Sequence, residues 1–231
     1  MRSIKSSRIV IAAVVLIVVV AIAGVLPVVF NAFNHRGVKT EGIDMTGVTS
    51  ATTDLNGTWE VVPGAERNHS SAGFTFFEIL PNQKKDTSGS TRTVNGTVQV
   101  EGNVLVSGKV TANLVDLRTD VQDRDVSIRL KLFHTDQYPE ASFTATEEVD
   151  LSGIPDNGQL AKVTIPGDLT IHGHTTHVAP EFDVVRTGDR VIIAATIPIN
   201  RLDYDVKPPE FVAALIDEEG FVNIRLTFEK E

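Results

Sequence analysis

The sequence predicts one all-β domain, an antiparallel sandwich or barrel with two short helical excursions, set behind a single membrane-spanning helix. Three observations carry this reading. From Leu55 onward, apolar and polar residues alternate in short runs, the period of half-buried strands. Clusters of Gly, Asn, Asp and Pro punctuate those runs at antiparallel spacing. The first thirty residues hold a long uncharged stretch that has no counterpart later in the chain.

That stretch comes first. Residues 1–8 carry Arg2, Lys5 and Arg8 and no acid, and 9–30 are 22 residues without a charge. At about 1.5 Å per residue a helix of this length reaches roughly 33 Å, enough to cross a hydrocarbon core. The basic flank belongs on the cytoplasmic side, which puts the remainder outside the membrane. A cleaved signal is the alternative, with Ala21-Ile22-Ala23 as a small-x-small cleavage site. Both readings export the domain, and cleavage would leave Gly24–Phe30 as an apolar terminus. Residues 31–53, rich in Gly, Thr, Ser and Asn and without a period, read as a stalk. The domain proper is 54–231.

Its strands open with Trp59-Glu60-Val61 and continue through Ser71–Leu80, Thr93–Glu101 and Val104–Leu117. Ser142–Leu151, Leu160–Ile171, Thr175–Arg186, Arg190–Ile199 and Phe221–Glu229 follow. Val191, Ile193, Ala195, Ile197 and Ile199 keep strict period two, and so do Val222, Ile224, Leu226 and Phe228. In Ser71–Leu80 the same period puts Phe74, Phe76 and Glu78 on one face. Two stretches break the pattern. Asp120 is placed to cap a helix running to about His134, with Val126, Leu130 and Phe133 on one face. Pro208-Pro209 introduces Phe211–Ile216 as one or two helical turns.

Composition and motifs exclude more than they assign. Thirty acidic against 21 basic residues, a formal net charge of −9, argue against a nucleic-acid partner. The absence of cysteine removes disulfides, thiolate metal sites and cysteine nucleophiles together. No G-x-S-x-G, P-loop or G-x-G-x-x-G occurs, and the carboxylates are scattered, so no catalytic residue is assigned. Asn56, Asn68 and Asn95 begin Asn-x-Ser/Thr triplets, which matter only in a host that glycosylates its exports. Asp203, Tyr204 and Asp205 beside Arg201 read as a buried salt link. His172, His174 and His177 form the one metal-like pattern, with the first two on one face if the segment is a strand. Nothing nearby in the sequence supplies a third and fourth ligand. The expectation is therefore a His-rich turn at Gly173 and no required metal.

The second half resembles the YceI-like family of exported lipid-binding proteins. Asp116-Leu117-Arg118-Thr119, Arg124-Asp125 and the run Thr135-Asp136-Gln137-Tyr138-Pro139-Glu140-Ala141-Ser142-Phe143 are similar to its longest signature. Gly167–Thr175 and Ile199–Tyr204 resemble two further signatures, and Ser70–Phe74 resembles its first strand. The similarity covers roughly 57–231 in the right order. Val206-Lys207-Pro208-Pro209 and the N-terminal segment look like a membrane-tethered actinobacterial branch. Glu78 stands where the family commonly has His, and Leu132-Phe133-His134 where it has paired Phe.

The resemblance implies a lipocalin-like antiparallel barrel whose lumen holds a long isoprenoid chain, with no other cofactor. Phe74, Phe76, Glu78, Leu114, Phe133 and Phe143 are the expected ligand-binding residues, with Glu78 at the mouth and Val126, Leu130 and Phe133 closing one end. The protein would be a membrane-anchored, extracytoplasmic binding protein for a polyisoprenoid or a quinone. The alternative is a surface-displayed interaction module whose barrel is filled by its own side chains. The residues name no protein partner.

Overall fold

The structure, a computed structural model, describes residues 38–80, 83–208 and 215–231. The basic flank and the expected membrane-spanning segment lie outside the described residues, as do residues 211–214 of the second helical excursion. Leu215 and Ile216, its last two residues, are strand.

Among the described residues thirteen strands form one curled antiparallel sheet. They are β1 (Gly57–Val62), β2 (Ser71–Leu80), β3 (Gln83–Thr91), β4 (Val94–Glu101), β5 (Val104–Asn113), β6 (Glu140–Ala145) and β7 (Val149–Asp150). After these come β8 (Ala161–Thr164), β9 (Gly167–Ile171), β10 (His174–Val178), β11 (Glu181–Thr187), β12 (Arg190–Asn200) and β13 (Leu215–Lys230). The ladder runs β10-β9-β6-β5-β4-β1-β13-β12-β11-β8, with β2 on β13, β3 on β2 and β7 on β5. β13 is the spine. It pairs with β12 from Asn200↔Glu219 to Arg190↔Glu229, and on its other side with β1 and then β2.

The sequence reading treats Leu160–Ile171 and Thr175–Arg186 as single strands. Each is broken at a proline, Pro166 and Pro180, which lacks the N–H a ladder needs. The result is one hairpin bent across its middle, with Ile165 N–H donating to Pro180 O at 3.1 Å at the bend. One half of this hairpin pairs with β6 and the other with β12, so both ends of the ladder belong to it. The sheet therefore curls into a half-barrel. β3 went unread because Gln83–Thr91 has no apolar alternation; it is held by its register with β2.

The two strict period-two runs face inward as expected. Ile197 and Ile199 of β12 and Ile224, Leu226 and Phe228 of β13 are buried in the core. The helix departs from expectation. α1 (Gln122–Ser127) is followed by a π-helical turn, Ile128–Leu132, in which Phe133 N–H donates to Ile128 O at 2.9 Å. Val126 and Leu130 are 46% and 55% exposed, while Asp125, Ile128, Leu132 and Phe133 are buried. Asp125 sets this phase: its Oδ1 accepts from the Thr119 hydroxyl at 2.7 Å and from Thr119 N–H. Asp120 is not the cap; it pairs with Arg124 at 2.6 Å, and Val121 is the N-cap.

Residues 38–53, expected as part of a stalk, run along the domain. Thr40 donates to the Ser71 hydroxyl at 3.1 Å, and Asp44 exchanges two 2.8 Å bonds with the Asn68 side chain. Arg225, buried, donates to Gly42 O and His69 O at 3.1 Å. Ala51 makes a parallel bridge with Gly188. Leu55 then enters the core beside Trp59, whose indole N–H donates to Leu55 O at 2.7 Å.

Candidate functional site

The inward faces of the sheet do not meet solidly. A void of about 110 Å³ lies between β4, β5, β6, β11, β12 and β13, and all but Gly108 and Lys109 of its lining residues are apolar. Leu55, Leu151 and Ile154 close its far end from loops. A second void of about 60 Å³ is lined by Phe74, Ala112, Leu114, Phe133, Ala141 and Leu169 among others. A third, about 20 Å³, lies under Phe76, Ile199, Tyr204 and Val206.

These voids form a file. Along β5 the lining passes from Val110 in the first to Ala112 in the second, and along β6 from Ala145 and Phe143 to Ala141. Along β13 it passes from Phe228, Leu226 and Ile224 to Val222, which the two smaller voids share. What interrupts the file is aromatic. The Phe74 ring sits 5.6 Å from Phe76 and 5.4 Å from Phe133, and Phe143 packs edge-on to Phe182 at 5.9 Å. An apolar cavity of about 150 Å³ takes one benzene, so no single void here accepts a long chain unless side chains swing aside.

Of the six expected lining residues, five are in the walls. Phe143 lines the large void, and Phe74, Phe76, Leu114 and Phe133 line the smaller ones. Glu78 lies beyond Phe76 on β2, half-buried, accepting from the Thr87 hydroxyl at 2.8 Å, and lines none of the three. Of the three residues expected to close one end, Phe133 lines both smaller voids and stands between them, while Val126 and Leu130 are exposed. Leu55 and Ile154 were missed because loop residues carry no period, and Leu151, read as the end of the strand Ser142–Leu151, lies in the loop after β7.

Polar groups collect beyond the smallest void. Arg201 is buried, but its partners are carbonyls, not the carboxylates expected from the Asp203–Asp205 cluster. It donates to Val206 O at 2.8 Å, Asp217 O at 3.1 Å and Ile216 O at 3.2 Å. The Ile216 and Asp217 carbonyls lie at the register shift between β13 and β2, just before β13 joins β12 at Glu219. Asp205 pairs with Lys207, which holds its carboxyl below the usual carboxylate range.

The His-rich segment divides. His172 and Gly173, at φ 52° and 75°, are the two residues of the β9–β10 hairpin, whose two positive φ angles mark a type I′ turn. His177 faces Asp168 at 3.1 Å, away from the others. His172 is buried, which pushes its pKa down and favours neutral imidazole. Its Nδ1 lies 3.2 Å from Tyr204 O, and its Nε2 lies 3.4 Å from His134 Nδ1.

Comparison with known proteins agrees with this architecture. A polyisoprenoid-binding domain from Saccharophagus degradans superimposes with a TM-score of 0.59 at 16% identity, over 75% of this chain and 98% of that one. BcnA from Burkholderia cenocepacia gives a TM-score of 0.54 at 19% identity, over 68% of this chain and 95% of its own. At these identities the likeness shows the fold alone. A UPF0312 protein of Photorhabdus laumondii is 35% identical over 80 residues, which span 34% of this chain and only 38% of that protein. The YceI-like domain model matches residues 59–228, from the buried Trp59 of β1 to the buried Phe228 of β13, and so takes in every wall of the lumen except its Leu55 floor; the chain belongs to the YceI-like family.

Proposed function

We propose that this chain is a binding protein that holds a long apolar lipid, a polyisoprenoid or a prenyl quinone, along the axis of its curled sheet. The observation that carries this is the series of voids with apolar walls that follow one another along β5, β6 and β13, with the Phe74, Phe76 and Phe133 rings packed together around the smaller two. Burial of each prenyl methylene contributes about 0.8 kcal/mol, so a long chain binds tightly with little polar recognition. Selectivity should follow chain length more than head group. Glu78, at the Phe76 end, is placed to stay wet at the mouth, since a carboxylate deep in an apolar tunnel would cost several kcal/mol. The uncharged N-terminal stretch and its basic flank support a tether to the membrane, with the domain on the outer side, where lipid is taken up or delivered. Binding and carriage need no catalytic group.

Mass spectrometry of lipid extracted from the full chain, purified from its native membrane, tests the reading. The expected result is a long-chain prenyl lipid in near-stoichiometric amount, absent from a folded Phe76→Trp variant whose larger ring fills the lumen. If the wild-type chain carries no lipid and takes up none when offered prenyl quinones, the filled-barrel module replaces it.

A further inference from the structure

Four non-glycine residues among those described have positive φ, and three of them meet beyond the smallest void: His134 (44°), His172 (52°) and Asp205 (52°). Positive φ is uncommon outside glycine, although Asp and His adopt it more readily than most residues, and it persists where the surroundings fix it. Here three separate elements do so. His134 ends the π turn, His172 makes the β9–β10 hairpin, and Asp205 ends the 3-10 turn Arg201–Tyr204. The Tyr138 ring lies 4.5 Å from the His172 ring and fills the space where a Cβ on Gly173 would be. The donor atoms are therefore aimed by backbone and packing, while the rest of the His-rich segment turns away.

Donor atoms of His172, His174 and Asp205 all lie within 4.8 Å of one another. His134 Nδ1 stands 3.4 Å from His172 Nε2. Two nitrogens bound at about 2.0–2.1 Å to one tetrahedral ion are separated by about 3.4 Å, so this pair already has the spacing of co-ligands. Donation from His172 Nδ1–H to Tyr204 O at 3.2 Å, the outer-shell contact usual for a ligating histidine, fixes the tautomer with a lone pair on Nε2, which here accepts from His134 Nδ1–H. His174 and Asp205 are exposed and close the remaining distance by side-chain rotation. We propose that His172, His174 and Asp205, completed by His134, bind one divalent transition metal. Three imidazoles and one carboxylate suit zinc, copper or nickel and not calcium or magnesium, which take oxygen ligands. The sequence expectation of no metal rested on the want of a third and fourth ligand; Asp205 and His134 supply them from distant positions, and His177 has no part. The cluster lies outside the apolar core, so the ion adds to a fold already made. Lys207 opposes it by pairing with the Asp205 carboxylate.

Cobalt(II) titration of the chelator-treated full chain, followed by visible absorption, tests the site without reference to lipid. One equivalent should bind with the intense ligand-field bands of a tetrahedral ion, and zinc should bleach them. His174→Ala and Asp205→Asn, both at exposed positions, should each weaken binding about tenfold or more. His177→Ala should leave it unchanged, and Lys207→Ala should strengthen it by freeing the carboxylate. Absence of saturable one-to-one binding in the wild-type chain, or affinities in His174→Ala and Asp205→Asn equal to wild type, would overturn the proposal.

Discussion

Three rings of the lumen each lie against a glycine on a neighbouring strand. Phe76 faces Gly220 across the β2–β13 ladder, Phe74 faces Gly89 across β2–β3, and Phe143 covers Gly167. A Cβ at Gly220 would collide with the Phe76 ring and stand 2.8 Å from Thr75 O. Gly220→Ala is expected to cost about 1–3 kcal/mol by overpacking, read as a lower urea midpoint at unchanged m-value. The inward phase of Phe74 and Phe76 was legible, because Gly73 and Thr75 set them apart at period two before Phe77 breaks the alternation. Their glycine partners were not, because a glycine becomes a seat for a ring only once the register is known. The same limit hid the metal-binding cluster. His172 and His174 stood together in the sequence, but a hairpin turn had to bring them to Asp205 and His134.

At the scale of elements, α1 shows why a helical phase resists reading. Val126, Ile128, Leu130, Leu132 and Phe133 are all apolar, so two faces compete and periodicity alone does not choose. A buried polar contact decides: Asp125 turns inward to Thr119, and the π turn then carries Ile128 and Leu132 to the core. Asp125→Ala should destabilise by about 1–3 kcal/mol, because it strands a buried Thr119 N–H. Val126→Ser and Leu130→Ser should each stay within about 0.5 kcal/mol of wild type, as surface changes do. Thermal melts of the three variants would separate this phase from the one the sequence favoured, which makes Val126 and Leu130 the costly pair. Strands fared better where one face alone is apolar, as in β12 and β13. They fared worse where ladder pairing outweighs composition, as in β3, or where a proline cuts a run that alternates on both sides of it.

For the whole molecule, the segment from residue 38 to Leu55 belongs to the domain and not to a spacer before it. Its composition concealed this, because the polar contacts that hold it, through the Thr40 hydroxyl, the Gly42 carbonyl and the Asp44 backbone, leave no apolar pattern. Arg225 is the main clasp, joining Gly42 O and His69 O from beneath the strap. Arg225→Ala should lose about 1.5–3 kcal/mol, the usual worth of hydrogen bonds from a charged group. Limited proteolysis should then cut between residues 38 and 50 faster than in the wild-type chain. Equal cutting rates would mean that the strap is held without Arg225.

The bent hairpin of β8 to β11 bears on how the protein lives among its own copies. A curled sheet that ended in two long straight borders would offer each neighbour a row of unpaired amides, the usual seed of strand-by-strand aggregation. Here the two ends of the main ladder are halves of one hairpin, each only a few residues long and each followed by a proline that another strand cannot extend; among the described strands β3, which pairs with β2 and otherwise makes only the Ser90↔Arg118 bridge, is the longer border. On the proposed reading, a chain that gives up its lipid passes through a state with a vacant apolar interior. In that state the kinked hairpin keeps the two ends of the main ladder from offering a long seam to a neighbouring copy.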